Sequence, residues 1–251
     1  MKAAAAALFT LALLAAPARA ADAPLVAVAA NFAGAAEAIA AAYNAESGQE
    51  VRLTTGSTGK LYAQIRAGAP FAVLLSADAA TPERLEAEGL AVAGSRFTYA
   101  IGQLALWSAA PGRVGEDIAA TLADPSVLHI AIANPDLAPY GVAAREVLQS
   151  LGLWDELQPK IVMGQNIGQT LSLVDSGAAE LGFVAVSALS VAGAAPKGSH
   201  FLVPADAHAS IRQDAVLLLP GADDAAAEGF LAFLASDPGR AIAAEYGYAG
   251  E

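Results

Sequence analysis

The sequence predicts an α/β protein of two doubly wound lobes joined by two extended crossings. Three observations carry this reading. An apolar strand, a short turn of small neutral residues and a helix recur at four places: Ala29-Ala30-Asn31-Phe32, Gly56-Ser57-Thr58-Gly59, Ala138-Pro139-Tyr140-Gly141 and Gln165-Asn166-Ile167-Gly168. The first of these strands is a continuous apolar run, the pattern of a strand buried on both faces of a parallel sheet. Two long extended segments, Phe97 to Trp107 and Asp214 to Leu219, bracket a central α/β series.

Leu25 to Ala29 is the first strand. In the helix that follows, Phe32, Ala36, Ile39 and Tyr43 share one face, and Gly48 supplies the stop. Val51 to Thr54 makes a second strand, and Lys60 to Arg66 a short helix closed by Gly68 and the turn at Pro70. Phe71 to Ser76 is the third strand; the next helix is capped by Thr81, opens with Pro82 and runs to Glu88. This β-α-β-α-β-α order predicts a doubly wound parallel sheet. The second series has strands His129 to Ala133 and Leu181 to Val186, with main helices Gly141 to Leu151 and Gly168 to Ser176. A helix over Ala225 to Leu234 and another, past Pro238 to Tyr246, end the chain. The first lobe is expected to comprise residues 21–101 plus 207–251, and the second 102–206.

The first twenty residues stand apart from this fold. Lys2 gives a positive start, Ala3 to Ala16 an apolar run, and Ala18-Arg19-Ala20 a small-x-small cleavage site. A signal peptide cleaved after Ala20 leaves an exported, soluble chain, since no later segment offers about 18 uninterrupted apolar residues. The sequence contains no cysteine, which excludes disulfides, thiolate metal sites, a cysteine nucleophile and a lipid-anchored start. An exported chain without anchor or staple fits a Gram-negative periplasm. The formal net charge is −12, and without Lys2 and Arg19 the mature chain stands at −14. No basic run is present, so nucleic acid and anionic membrane are poor partners.

Each of the four turns puts free backbone N–H groups and an uncharged donor at the positive end of a helix dipole, an arrangement suited to an anion. Taken singly, each is also a plain helix cap. Ser57 and Thr58 stand between glycines, which lets main-chain amides approach a ligand closely. Competing chemistries fail on spacing. Gly56-Ser57-Thr58-Gly59-Lys60 lacks the gap of a P-loop, and Leu61 stands where Ser or Thr is required. His129, His200 and His208 share no ligand spacing, and His129 is expected as a satisfied residue of a buried strand. Asp78, after a strand end, is a candidate catalytic acid or a loop cap, and the cap is favoured.

With these residues placed, the mature chain resembles the periplasmic molybdate-binding proteins of bacterial ABC importers over nearly its whole length. The stretches that carry the resemblance are VAVAANF, GSTGKLYAQIRAGAPF, LLSAD, SRFTYAIGQLALWS, ANPDLAPYGVAAREVLQSLGLWDEL and GQNIGQTLSLVDSGAAELGFVAV, in order and with family-like spacing. The resemblance implies a class II binding-protein fold, with molybdate or tungstate held as an oxyanion between the lobes and no protein ligand on the metal itself. It implies Asn31 and Thr58 as side-chain donors, Ala30 and Ser57 beside them, and Tyr140 and Ile167 as sources of main-chain N–H. Against enteric members, Asn31 replaces Ser, Ala185 replaces Tyr, and Pro139-Tyr140-Gly141 stands where they have Pro-Ala-Gly, so a tyrosine hydroxyl is expected to enter from a different loop. The implied role is that of a monomeric, non-enzymatic receptor without a cofactor that serves a membrane permease. Rival readings are a sulfate or phosphate receptor, the sensing domain of a regulator, and an exported hydrolase using Asp78.

Overall fold

The structure, a computed structural model, describes residues 23–189 and 197–248; the proposed signal peptide and its cleavage site lie outside them. The first half of the chain runs β1 (Leu25–Ala29), a 3-10 turn (Ala30–Phe32), α1 (Ala33–Ser47), β2 (Arg52–Gly56), α2 (Thr58–Arg66), β3 (Phe71–Leu75), α3 (Ala80–Ala87) and β4 (Phe97–Gly102). Next come β5 (Leu104–Ser108), α4 (Ile118–Ala123), β6 (Ile130–Ala133), α5 (Pro139–Ser150), α6 (Trp154–Leu157), β7 (Ile161–Gly164), α7 (Ile167–Asp175), β8 (Leu181–Ala185), α8 (Val186–Leu189) and β9 (Ser199–Leu202). The chain then closes with β10 (Ile211–Leu217), α9 (Ala225–Ala235) and α10 (Asp237–Glu245).

These strands form two five-stranded sheets on one plan, β2-β1-β3-β10-β4 and β7-β6-β8-β5-β9. In each, the first three strands are parallel, but β10 is antiparallel to β3 and β4, and β5 to β8 and β9. The sheets are therefore mixed, which corrects the all-parallel expectation. The reason is the route of the chain. β4 ends and β10 begins at the same edge, with Gly102 opposite Ile211, and β5 begins opposite the end of β8, with Leu104 opposite Ala185. A strand that arrives from the other lobe starts at the edge where its parallel neighbours end. The long extended segment read from Phe97 is thus two strands in two sheets, broken at Gln103.

Helices cover both faces of each sheet. In the first lobe α1, α9 and α10 enclose Phe32, Ile39, Tyr43, Phe230 and Leu234 on one side, and α2 and α3 enclose Leu61, Leu74, Leu85 and Val216 on the other. In the second, the α5 side buries Ile130, Val147 and Phe183, and the α7 side buries Trp107, Ala131 and Val174. Gly48 ends α1 at φ 71°, the left-handed conformation that glycine adopts without steric cost.

Three local expectations change. His129 is exposed and precedes β6; its main-chain N–H donates to Glu180 Oε2 at 2.7 Å. Thr81 lies inside α3 rather than capping it, and its N–H donates to Asp78 Oδ1 at 2.8 Å. β10 begins at Ile211, before the apolar run, because Gln213 and Asp214 are buried despite their polarity. Asp214 is neutralised by Arg96 Nη1 at 2.8 Å and accepts from Thr98 Oγ1 at 2.8 Å.

Gly102, where the chain first crosses between lobes, is hemmed in by both of them. A Cβ there would overlap the Tyr140 hydroxyl and stand 2.6 Å from Gln213 Nε2. Gly102→Ala is expected to lower stability by about 1–3 kcal/mol, the usual cost of overpacking; an unchanged urea midpoint would show that the junction yields freely.

Candidate anion-binding site

In both sheets the parallel strands end at the gap between the lobes, the place where ligands of open α/β sheets bind. The turns that follow β1, β2, β6 and β7 converge there, and each leads into a helix start. Ala30, Asn31, Ser57, Thr58, Tyr140 and Ile167 all line one small cavity of about 10 Å³, and no residue in its wall carries a charge. The lobes are shut around it: Gly59 N–H donates to the Leu137 carbonyl across the gap at 2.9 Å.

The donors differ in how far the protein itself uses them. Ser57 stands in the N-cap position of α2 with extended backbone (φ −73°, ψ 147°), yet its hydroxyl makes no capping bond. Its Oγ is, among the described residues, the buried side-chain polar atom without a hydrogen-bond partner. By contrast Asn166 is a working cap, its Oδ1 accepting from Gln169 N–H at 2.9 Å. Thr58 Oγ1 accepts from Ala77 N–H at 3.1 Å, which leaves the hydroxyl proton to be donated elsewhere. The N–H groups of Thr58, Tyr140 and Ile167 lie in the first turns of α2, α5 and α7, where a helix offers no acceptor of its own. Their helix dipoles add positive potential at the same point.

Asn31 behaves differently from the sequence expectation. Its Nδ2 donates to Gln213 Oε1 at 2.7 Å and to the Tyr248 hydroxyl at 3.1 Å, so both amide hydrogens are taken up within the protein. Its main chain stands in the first turn after β1, and the residue lines the cavity. Ala30 brings no side-chain donor. The Tyr140 hydroxyl is buried and accepts from Gln213 Nε2 at 3.3 Å. Gln213, Tyr248 and Ser187 belong to this neighbourhood but carried no sequence motif; a polar Gln-Asp pair ahead of an apolar run was the available signal for Gln213. Asp78 is taken up by its own turn, accepting from Thr81 N–H and Oγ1 and from Ser76 Oγ, as a loop cap does.

A two-lobed fold whose strand ends and helix starts meet on an uncharged set of donors between the lobes defines a solute-capturing binding protein. The chain belongs to the bacterial extracellular solute-binding protein family, whose model matches residues 24–249. It is 47% identical over 236 residues to the molybdate-binding protein ModA of Azotobacter vinelandii, spanning 94% of this chain and 93% of that one. It is also 47% identical over 227 residues to ModA of Rhodobacter capsulatus, spanning 90% and 88%. The solved structure of the Azotobacter vinelandii periplasmic molybdate-binding protein matches with a TM-score of 0.88 at 43% identity, covering 91% of this chain and 99% of that chain. These matches establish the family resemblance and the two-lobed fold expected from the sequence.

Two outcomes follow for the ligand-free protein. Ser57→Ala breaks no bond and should leave stability unchanged or slightly raised, whereas Thr58→Val strands the Ala77 N–H and should cost about 1–3 kcal/mol. Urea unfolding separates the two; equal losses would mean that Ser57 is a structural cap. Burial also pushes the Tyr99 and Tyr140 phenols well above the usual tyrosine range and lifts Tyr248 to about 12. The folded state therefore holds these protons more tightly than the unfolded chain. That contribution is complete below the unfolded value of about 10 and is lost as pH rises through about 12. Stability should fall across this window together with a late rise in phenolate absorbance, and a tyrosine titration completed near pH 10 would contradict the burial.

Proposed function

We propose that the protein is the extracytoplasmic receptor of an ABC importer, capturing molybdate or tungstate between its lobes and delivering it to a membrane permease. The observation that carries this reading is the buried hydroxyl of Ser57, which has no partner in the protein and belongs to a residue lining a cavity ringed by helix starts and free of charge. The names of the relatives supply the ligand. In this reading the anion accepts from the Ser57 and Thr58 hydroxyls and from main-chain N–H groups at Asn31, Thr58, Tyr140 and Ile167, with Ala30 as an apolar wall. The metal is held through its oxygens alone. The lobes are residues 21–101 plus 207–251 and residues 102–206. The mature chain, cleaved after Ala20, is periplasmic and monomeric, with no catalytic residue, cofactor or nucleic-acid partner.

Neutral donors suit this task. Hydrogen bonds to a charged group contribute about 1.5–3 kcal/mol each, so a handful offsets the loss of solvent around a dianion. Main-chain N–H groups can only donate, so a site that relies on them favours the fully deprotonated oxyanion over a protonated one. Selectivity then rests on size and on a fixed donor set.

Molybdate and tungstate are expected to stabilise the mature protein by about 4 kcal/mol at a thousandfold excess over Kd. In a thermal-shift series sulfate and phosphate should do far less, and equal stabilisation by sulfate would replace this reading with a sulfate receptor.

A further inference from the structure

Behind the cavity, the Asn31 turn is gripped by both lobes at once. Its main-chain carbonyl accepts from the Tyr248 hydroxyl at 2.6 Å and from the Ser187 hydroxyl at 3.1 Å, and those two hydroxyl oxygens are 3.0 Å apart. A carbonyl has no proton to give, so at 2.6 Å Tyr248 must be the donor. That leaves the lone pairs of Tyr248 to receive Asn31 Nδ2 at 3.1 Å. The other hydrogen of Nδ2 goes to Gln213 Oε1 at 2.7 Å, and Gln213 Nε2 reaches on to the Tyr140 hydroxyl at 3.3 Å.

The membership of this network is the informative point. Asn31, Gln213 and Tyr248 belong to the first lobe, on the turn after β1, on β10 and after α10, whereas Ser187 and Tyr140 come from α8 and α5 of the second. Gln213 is wholly buried in the middle of a strand, a costly place for a carboxamide unless it is fully bonded. The Tyr248 ring is fixed edge-on against Phe32 at 4.9 Å, so its hydroxyl is held at the seam rather than free to follow a departing partner. Any movement that parts the lobes would break the bonds that Ser187 and Tyr140 make to the other three residues.

We propose that Gln213 and Tyr248 are positioning residues for anion capture, joining Ser187 and Tyr140 to the Asn31 turn only in the shut molecule and so setting how long the anion is retained. This rests on the oxyanion-receptor reading. None of the bonds named need touch the anion. Their loss should act on release more than on encounter, because association is limited by entry into the open gap.

The test is the release of radiolabelled molybdate from the mature protein after dilution, together with the association rate and the unfolding midpoint of the ligand-free form. Tyr248→Phe and Ser187→Ala should each speed release by about tenfold, with association within about twofold of the unaltered protein. Because both bonds end on one carbonyl, the double variant should fall short of the product of the single effects. A purely structural role predicts lower unfolding midpoints with unchanged release, and unchanged release in both variants overturns the proposal. Ser187→Ala removes one partly exposed hydroxyl and keeps the test alive if Tyr248→Phe folds poorly. If the unaltered protein retains neither molybdate nor tungstate, the receptor reading itself fails and this inference falls with it.

Discussion

The requirement that two sheets point their strand ends at one gap governs the rest of this molecule. A helix that follows a parallel strand starts at that strand's carboxyl end, so four helix starts arrive in the gap as a by-product of strand direction. The same requirement fixes the crossings. β4 and β9 finish at the gap, so β5 and β10 must begin there and run against their parallel neighbours. The donor set and the mixed sheets are two results of one topological condition.

That origin explains how a strongly acidic chain can offer the proposed anion site without a cationic side chain in its wall. The net charge of −12 acts through water and salt, where fields between exposed charges fade within roughly 8 Å. The main-chain and hydroxyl donors act at contact in a walled-off space, where their dipoles count for far more. Ser57 makes the point most sharply. Its buried hydroxyl has no partner within the protein, and an anion in the cavity would supply an acceptor for its proton.

Much of the architecture was legible in the sequence because apolar runs of strand length alternated with helical faces, as at Leu25 to Ala29 and Phe71 to Leu75. The four turns were legible as strand-to-helix turns from their small neutral residues, and it was their recurrence in both lobes, not any one of them, that pointed beyond plain helix caps. Periodicity failed where polarity and burial part company: Arg212 and Gln213 hid the start of β10, and Gln103 hid a break between sheets inside one extended run. It failed equally at His129, whose β-strand neighbours are buried while its own side chain faces solvent beside Glu180. The role of Asn31 was beyond local reading for another reason. Its amide partners, Gln213 and Tyr248, lie 182 and 217 residues away in the chain, and no spacing rule spans such a distance.

The place of β10 in the first sheet has a bearing on how the molecule comes together. That strand lies between β3 and β4, so until residues 211–217 join, β3 presents an unpaired edge and β4 has no neighbour in the sheet. The second sheet draws only on residues 104–202 and has all its strands as soon as that stretch is available. Assembly is therefore staggered: the middle of the chain is self-sufficient, while the lobe that starts first is finished last, sealed by α9 and α10 and by Tyr248 after them.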